Sequence, residues 1–263
     1  MAEGNIEAEF SDVEIAGERA LKCTTREVRM AFGLGPAFAG ESAEQRSRQL
    51  LEALGPDLRC LRWGRQVHGR EIAVVTHGAD PGAEAMDCVG SCDALVTADL
   101  GVGLMVWTAD CVPILLEGPG VVAAIHSGWR GSAADIVGAV LRKLERKYGV
   151  TPDQLRAALG PAISGAHYEV GPEVIDALTS VGVEGDEWRR RERVDLRLFL
   201  SGRLHQLGVS RGSIGVIGPC TLSSPSLASY RRDGSSAGRQ FSMIYRRGGG
   251  DGAAGDSDRR PRS

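Results

Sequence analysis

Two apolar runs, residues 112–116 and 121–125, flank Gly118-Pro119-Gly120. Runs of this length around a Gly-Pro-Gly break read as strand, turn, strand. A hairpin that closes near Gly118 and Pro119 sets Cys111 and His126 equidistant from the turn, opposed at its open end. Directly opposed residues in an antiparallel pair have Cβ atoms roughly 4.5–5.5 Å apart. A thiolate and an imidazole so placed can share one metal ion or one proton. The register matters, because a one-residue slip turns one of the two to the other face.

Cysteine thiolate and imidazole are natural zinc ligands, and a third must come from elsewhere in the chain. His68 is the best candidate, since Gln66-Val67-His68-Gly69 ends a strand-like run in a Gly turn. A Cys-His-His set leaves one zinc position open, as catalytic sites do. Water at such a position approaches a pKa of about 7. Imidazole also suits copper, which stays open as the alternative ion. The competing reading makes Cys111 a buried small residue and His126 a hydrogen-bonded strand end. Asp110 reads as a general base, as a carboxylate behind a ligand histidine, or as a turn residue. Arg130 stands just before an expected helix N-terminus and suits a phosphate or carboxylate; its alternative is a surface residue packed on Trp129. Arg26, Arg231 and Arg232 add positive charge there if the fold gathers them, and are otherwise solvated. His167 and Tyr168, in a Gly-flanked loop, are candidates to line a cleft. Cys88 and Cys92 lack a second ligand pair, Cys220 reads as core, and His77 and His205 as incidental.

The bulk of the chain narrows the partners. Net charge is −3, which leaves no electrostatic footprint for nucleic acid. No apolar run reaches the length of a membrane span, and the acidic start Met1-Ala2-Glu3-Gly4 is unlike a signal peptide. The expectation is a cytoplasmic protein whose six cysteines are reduced. There is no P-loop and no H-E-x-x-H, and no cytidine-deaminase pattern. Five histidines, none in a His-x-His pair, are too few for a multicopper cluster.

Residues 1–21 read as an arm or edge strand, 22–246 as one α/β (mixed α+β) domain with mixed sheets flanked by helices, and 247–263 as a disordered Gly/Asp/Arg/Ser tail. Helices are expected at 42–54, at 172–178 after Pro172, and after the cap Asp195. Another is expected from a capping-box-like Ser132-Ala133-Ala134-Asp135 through Tyr148. Further strands are expected at 72–76, 93–97, 102–107, 214–217 and 241–245. Residues 81–92, the stretch through Gly33-Leu34-Gly35, and 230–234 read as loops.

The motifs together resemble one family. They are Thr24-Thr25-Arg26, Gln66-Val67-His68-Gly69, Asp93-Ala94-Leu95-Val96-Thr97, Thr108-Ala109-Asp110-Cys111-Val112-Pro113 and Ala124-Ile125-His126-Ser127-Gly128-Trp129-Arg130-Gly131. Then come Gly160-Pro161-Ala162-Ile163, Tyr168-Glu169-Val170-Gly171, Asp195-Leu196, Cys220-Thr221, and Ser229-Tyr230-Arg231-Arg232-Asp233 with Gly238-Arg239-Gln240. In this order they resemble the laccase-domain proteins, also known as polyphenol oxidases, purine nucleoside phosphorylases or peptidoglycan editing factors. The resemblance implies a laccase-domain-like fold and a metal site of His68, Cys111 and His126, usually zinc. It implies phosphorolysis of adenosine, inosine, guanosine and methylthioadenosine, with adenosine deamination. A purine nucleoside and phosphate are then the small-molecule substrates. Cys111, Asp110 and Arg26 form the expected catalytic set, and Arg130, Arg231, Arg232 and Tyr168 the substrate and phosphate set. A hydrolase editing serine-containing muropeptide precursors, a copper-dependent phenol oxidase and a non-catalytic metal-binding protein are the alternatives. The chain departs from the family pattern at residues 30–35, at Leu200 and Arg203, and at Ala228, expected here as pocket walls.

Overall fold

The structure, a computed structural model, describes residues 6–15, 17–25, 27–35, 43–54, 57–76 and 86–248, with backbone alone at 43–48 and at 86. In chain order the strands and helices are β1 (Ser11–Ile15), β2 (Glu18–Thr24), β3 (Val28–Gly33), α1 (Ala43–Leu54), β4 (Cys60–Arg65), β5 (Ile72–Val74), β6 (Met86–Ser91), β7 (Ala94–Thr97) and β8 (Val102–Thr108). Next come β9 (Val112–Gly118), β10 (Val121–Ser127), α2 (Trp129–Ala133), α3 (Ile136–Tyr148), β11 (Arg156–Leu159) and α4 (Pro172–Thr179). The series closes with β12 (Arg189–Arg190), β13 (Arg193–Val194), α5 (Leu196–Gln206), β14 (Ile214–Val216), α6 (Tyr230–Asp233) and β15 (Gln240–Arg246).

Two mixed sheets carry the fold: β1-β2-β3-β15-β8-β4-β6 and β14-β11-β9-β10-β7-β5. They are stacked, and apolar side chains sort by strand alternation into three layers. Leu104, Val106, Leu115, Val122, Ala124 and Ile244 fill the space between the sheets. Ile114, Leu116, Ala123 and Ile125 face outward from the second sheet onto α3 and α5, meeting Val140, Leu144, Phe199 and Leu204. Met105, Phe241, Met243 and Tyr245 face α1 through Leu50 and Leu54. Because the two central strands of the hairpin are covered on both faces, β10 is buried at all seven positions. That is why its sequence reads as an unbroken apolar run rather than an alternating one.

The opening hairpin forms, two residues out of the expected register. Gly118 pairs with Val121, so Pro119-Gly120 is the turn, with Gly120 at φ +71°. His126 therefore pairs with Pro113, and Cys111 lies one step beyond the last pair, Ser127 with Val112. A shift of two preserves the face, so Cys111 and His126 become diagonal neighbours rather than an opposed pair.

Other expectations change. Residues 86–91 form an edge strand parallel to β4, although its exposed Asp87, Cys88 and Ser91 carry no apolar signal. Residues 28–33 are a central strand, and Met30, Ala31 and Phe32 are core residues, not pocket walls. Leu200 is buried under α3, and Arg203 pairs with Asp135. Ala228 is buried and donates its N–H to Gln240. β2 runs across the expected boundary at residue 21. The long helix begins at Ile136, not Ser132. Asp135 is its N-cap at φ 55°, accepting from Gly138, while Ser132 bonds to Gly128 O and Ser127 Oγ inside the short α2. Residues 230–233 are a helical turn capped by Ser229. His77, Arg26 and residues 249–263 lie outside the described residues.

Candidate metal centre

His68, Cys111 and His126 come together, with their donor atoms all within 4.8 Å of one another. Bond lengths of about 2.0–2.3 Å imply donor separations of roughly 3.5 Å around a zinc tetrahedron, so a small closure completes the fit. One soft thiolate and two imidazoles suit zinc or copper. His126 is buried, Cys111 half-buried and His68 exposed. The imidazole rings of His68 and His126 meet edge to face, with centroids 4.8 Å apart. Gly128 floors the site: a Cβ there would lie 2.8 Å from Cys111 Sγ and 3.2 Å from His68 Nδ1. Gly128→Ala is expected to lower metal affinity at least about tenfold by spreading the donors, measured by competition with a chromogenic chelator.

Asp93, at the head of β7 and fully buried, organises the trio. Its Oδ1 accepts from His126 Nδ1 at 2.8 Å and from the His68 backbone N–H at 3.0 Å. Its Oδ2 accepts from the N–H groups of Gly69 at 2.8 Å and Val67 at 3.2 Å. One carboxylate thus points His126 Nε2 toward the thiol and clamps the loop that carries His68. The clamp explains how His68 sustains φ 58°, a left-handed conformation costing about 1 kcal/mol or more. Gln66 adds a second clamp, donating to Trp107 O at 2.7 Å and accepting from Trp107 N at 2.8 Å. Burial works against the Asp93 carboxylate, but the bonds from His126, Gly69 and Val67 outweigh it and hold its pKa below the ordinary value. The carboxylate behind a ligand histidine is therefore Asp93, a position sequence reasoning noticed only as part of a strand motif.

The donors titrate as a pair. Burial pushes the Cys111 thiol up, yet His126 and His68 bring it down to about 6. Burial also disfavours imidazolium at His126, yet Asp93 and Cys111 carry its pKa up to about 9. Between these values the metal-free pair is thiolate and imidazolium. A metal needs the Nε2 lone pair, so binding at pH 7.5 is expected to release about one proton per ion. Calorimetry in buffers of different ionisation enthalpy reads that number. Affinity is expected to fall more steeply once the pH drops through about 6, where Cys111 takes up a proton.

Asp110, at φ 83°, is held in place by two hydrogen bonds. It accepts from Thr221 Oγ1 at 2.5 Å and from the Arg231 backbone N–H at 2.7 Å. It ties two distant segments to the residue before Cys111. Around it, Tyr168 is pushed up to about 12 by burial and by Cys111, opposed by Arg231; Asp110 adds to the rise and Arg130 to the opposition. Tyr168 therefore stays a phenol in the field of all four. Arg231 lies 5.1 Å from the Tyr168 ring centre and donates to Glu169 O at 2.9 Å. Arg130, exposed, stacks 4.5 Å from the centre of the Trp129 ring. The helix it sits in has five residues, and the N-terminus of α3 is already filled by Asp135. The expected anion site therefore has no long helix end behind it. Arg232 binds Thr221 O, Leu222 O, Ser224 O and Leu227 O and the Asp233 carboxylate. Its guanidinium holds a loop together.

The structure thus places a soft three-donor cluster that could hold a metal ion, backed by a buried carboxylate, beside two stacked mixed sheets. Residues 33–247 match the family model described as multi-copper polyphenol oxidoreductase laccase, and the chain belongs to that family. It is 37% identical over 206 residues to a protein of Deinococcus radiodurans named purine nucleoside phosphorylase, covering 77% of this chain and 76% of that one. It is 38% identical over 211 residues to purine nucleoside phosphorylase ORF3 of Streptomyces griseus, covering 77% and 80%. It is 35% identical over 209 residues to adenosine deaminase RL5 of an unknown prokaryotic organism, covering 74% and 78%. Among solved structures, YlmD from Geobacillus stearothermophilus superposes with a TM-score of 0.77 at 28% identity, covering 87% of this chain and 96% of that one. No helix among the described residues is long and apolar enough to cross a membrane.

Proposed function

We propose that the protein is a zinc-dependent purine nucleoside enzyme. It cleaves adenosine, inosine, guanosine or methylthioadenosine with phosphate, and deaminates adenosine as a second activity. The observation that carries this reading is the three-donor site with arginines and a phenol beside it. The similarity to relatives named for both activities supports the substrate class. Zinc held by His68, Cys111 and His126 would supply Lewis acidity.

In phosphorolysis a phosphate oxygen forms a bond to the ribose C1′ as the bond to the purine nitrogen breaks. Arg130 and Arg231 are suited to hold the phosphate, with electrostatic stabilisation of the charge that develops. Tyr168, protonated at neutral pH, donates a hydrogen bond at the same place. Asp110 keeps Arg231 and the Cys220-Thr221 segment in register with Cys111. Arg26 joins the proposed catalytic set from the sequence resemblance alone, and Arg232 contributes as the brace of the neighbouring loop.

A positioning role for Asp110 has a signature. In Asp110→Asn, the amide oxygen can accept from Arg231 N–H while the amide nitrogen donates to Thr221 Oγ1, whose hydroxyl serves either way. This variant is expected to keep kcat within about threefold of the parent, because neither bond is lost. Asp110→Ala loses both and is expected to cost about 1–3 kcal/mol of stability. A general base would fail in both variants, so the asparagine variant's kcat separates the roles.

The reading itself is tested by giving the purified protein adenosine with and without phosphate. Adenine and ribose 1-phosphate are expected only when phosphate is present, with inosine or hypoxanthine reporting deamination. Absence of any purine product, with cleavage of a serine-containing muropeptide precursor instead, would overturn it. Phenol oxidation that depends on added copper, with no purine product, would do the same.

A further inference from the structure

A second cysteine–histidine pair lies outside the metal centre. Cys220 Sγ is 3.5 Å from His167 Nδ1. The Ser164 backbone N–H donates to the same sulfur at 3.3 Å, and Ser164 Oγ lies 3.2 Å from the same imidazole nitrogen. His167 is exposed and Cys220 half-buried, so small reagents reach the pair. The pair sits on segments that the metal site already fixes: Thr221 binds Asp110, and Ile163 N–H donates to Asp110 O.

We propose that Cys220 is a thiol that reacts with hydroperoxides, and that His167 is its proton donor. Sγ attacks one peroxide oxygen, the S–O bond forms and the O–O bond breaks. The departing hydroxide takes the proton from His167 Nδ1 and leaves as water. A thiolate, the one proton handed on through His167 and hydrogen peroxide thus become a sulfenic acid and water; sulfur is oxidised and the peroxide reduced. One low-molecular-weight thiol can then condense with the sulfenic acid, releasing water and leaving a mixed disulfide, and a second such thiol displaces the cysteine and leaves as the small disulfide.

The other cysteines make the assignment selective. Cys23, Cys60 and Cys92 are buried, and burial pushes each of these thiols up. Cys111 belongs to the metal trio. Cys88 is exposed, and among the described residues no imidazole is recorded beside it, its polar contact being Gly90 O at 3.9 Å. Exposure alone would favour Cys88, so the pair of thiols is an internal control. At Cys220 burial acts to raise the thiol, but hydrogen bonds from Ser164 and Ser223 bring it down to about 6, which suits a reactive thiolate.

The test uses the full chain loaded with zinc, treated at pH 7 with equimolar hydrogen peroxide and dimedone, then mapped by peptide mass spectrometry. Cys220 is expected to carry the adduct at least tenfold more than Cys88. His167→Asn is expected to slow labelling of Cys220 at least fivefold while the melting temperature holds, since His167 is a surface side chain. Iodoacetamide alkylation of Cys220 is expected to show a pH midpoint near 6, against near 9 for an ordinary thiol. Equal labelling of Cys88 and Cys220, or an unchanged rate in His167→Asn, would overturn the proposal.

Discussion

Replacing Asp93 with asparagine is expected to lower zinc affinity about 10–100-fold and to destabilise the fold by about 2–5 kcal/mol. The carboxylate accepts four bonds, two on each oxygen, from His126, His68, Val67 and Gly69. An asparagine amide turned either way puts its NH2 against two N–H donors. If the amide faces His68 and His126, the imidazole loses its orientation. If it faces Val67 and Gly69, the loop loses its clamp, and the φ 58° conformation of His68 is no longer held. Both outcomes leave buried donors unsatisfied. Chemical denaturation reads the stability and chelator competition reads the affinity. Full affinity in a stably folded Asp93→Asn protein would show that the donors hold themselves in place.

Cys111→Ala is expected to abolish metal retention and to lower purine nucleoside turnover by about 10³-fold or more, the scale seen when a principal stabiliser of transition-state charge is removed. Only the two imidazoles remain, and the thiolate that stabilises the His126 imidazolium is gone. The pKa of His126 should then fall from about 9, because burial, which opposes the charge, loses one of its counterweights. Against the metal-free parent, global stability should change little, since Cys111 is half-buried and its side chain takes no part in the core layers. Thermal melts beside kinetics separate the two effects: an inactive protein that melts like the metal-free parent locates the loss in the site.

Cys111 and His126 were legible together because they are local to one hairpin, whereas His68 was legible only as a histidine ending a separate strand-like run. An apolar run, a Pro-Gly turn and an apolar run define a hairpin, and the ends of a hairpin are near each other whatever its exact register. The two-residue error in register did no harm, because side chains alternate with period two and the face was kept. Asp93 was not legible as an organiser. Three of its four bonds go to backbone N–H groups about 25 residues away in sequence, and a backbone donor leaves no mark in the residue pattern. The available signal was an acidic residue opening an otherwise apolar strand. The edge strand 86–91 escaped for a related reason: residues 87–91 are exposed and carry only Val89 as a large apolar side chain, and pairing with β4 rather than burial makes it a strand. Arg232 shows the limit for charged residues. Its sequence context matches that of Arg231, but only the fold reveals four loop carbonyls around its guanidinium.

The central claim is that His68, Cys111 and His126 hold one metal ion, zinc, in the working protein. Its most direct test is elemental analysis of the purified chain beside His68→Ala and Cys111→Ala. The expected result is close to one zinc per chain in the parent and close to none in either variant. Equal metal content in all three proteins would contradict the account.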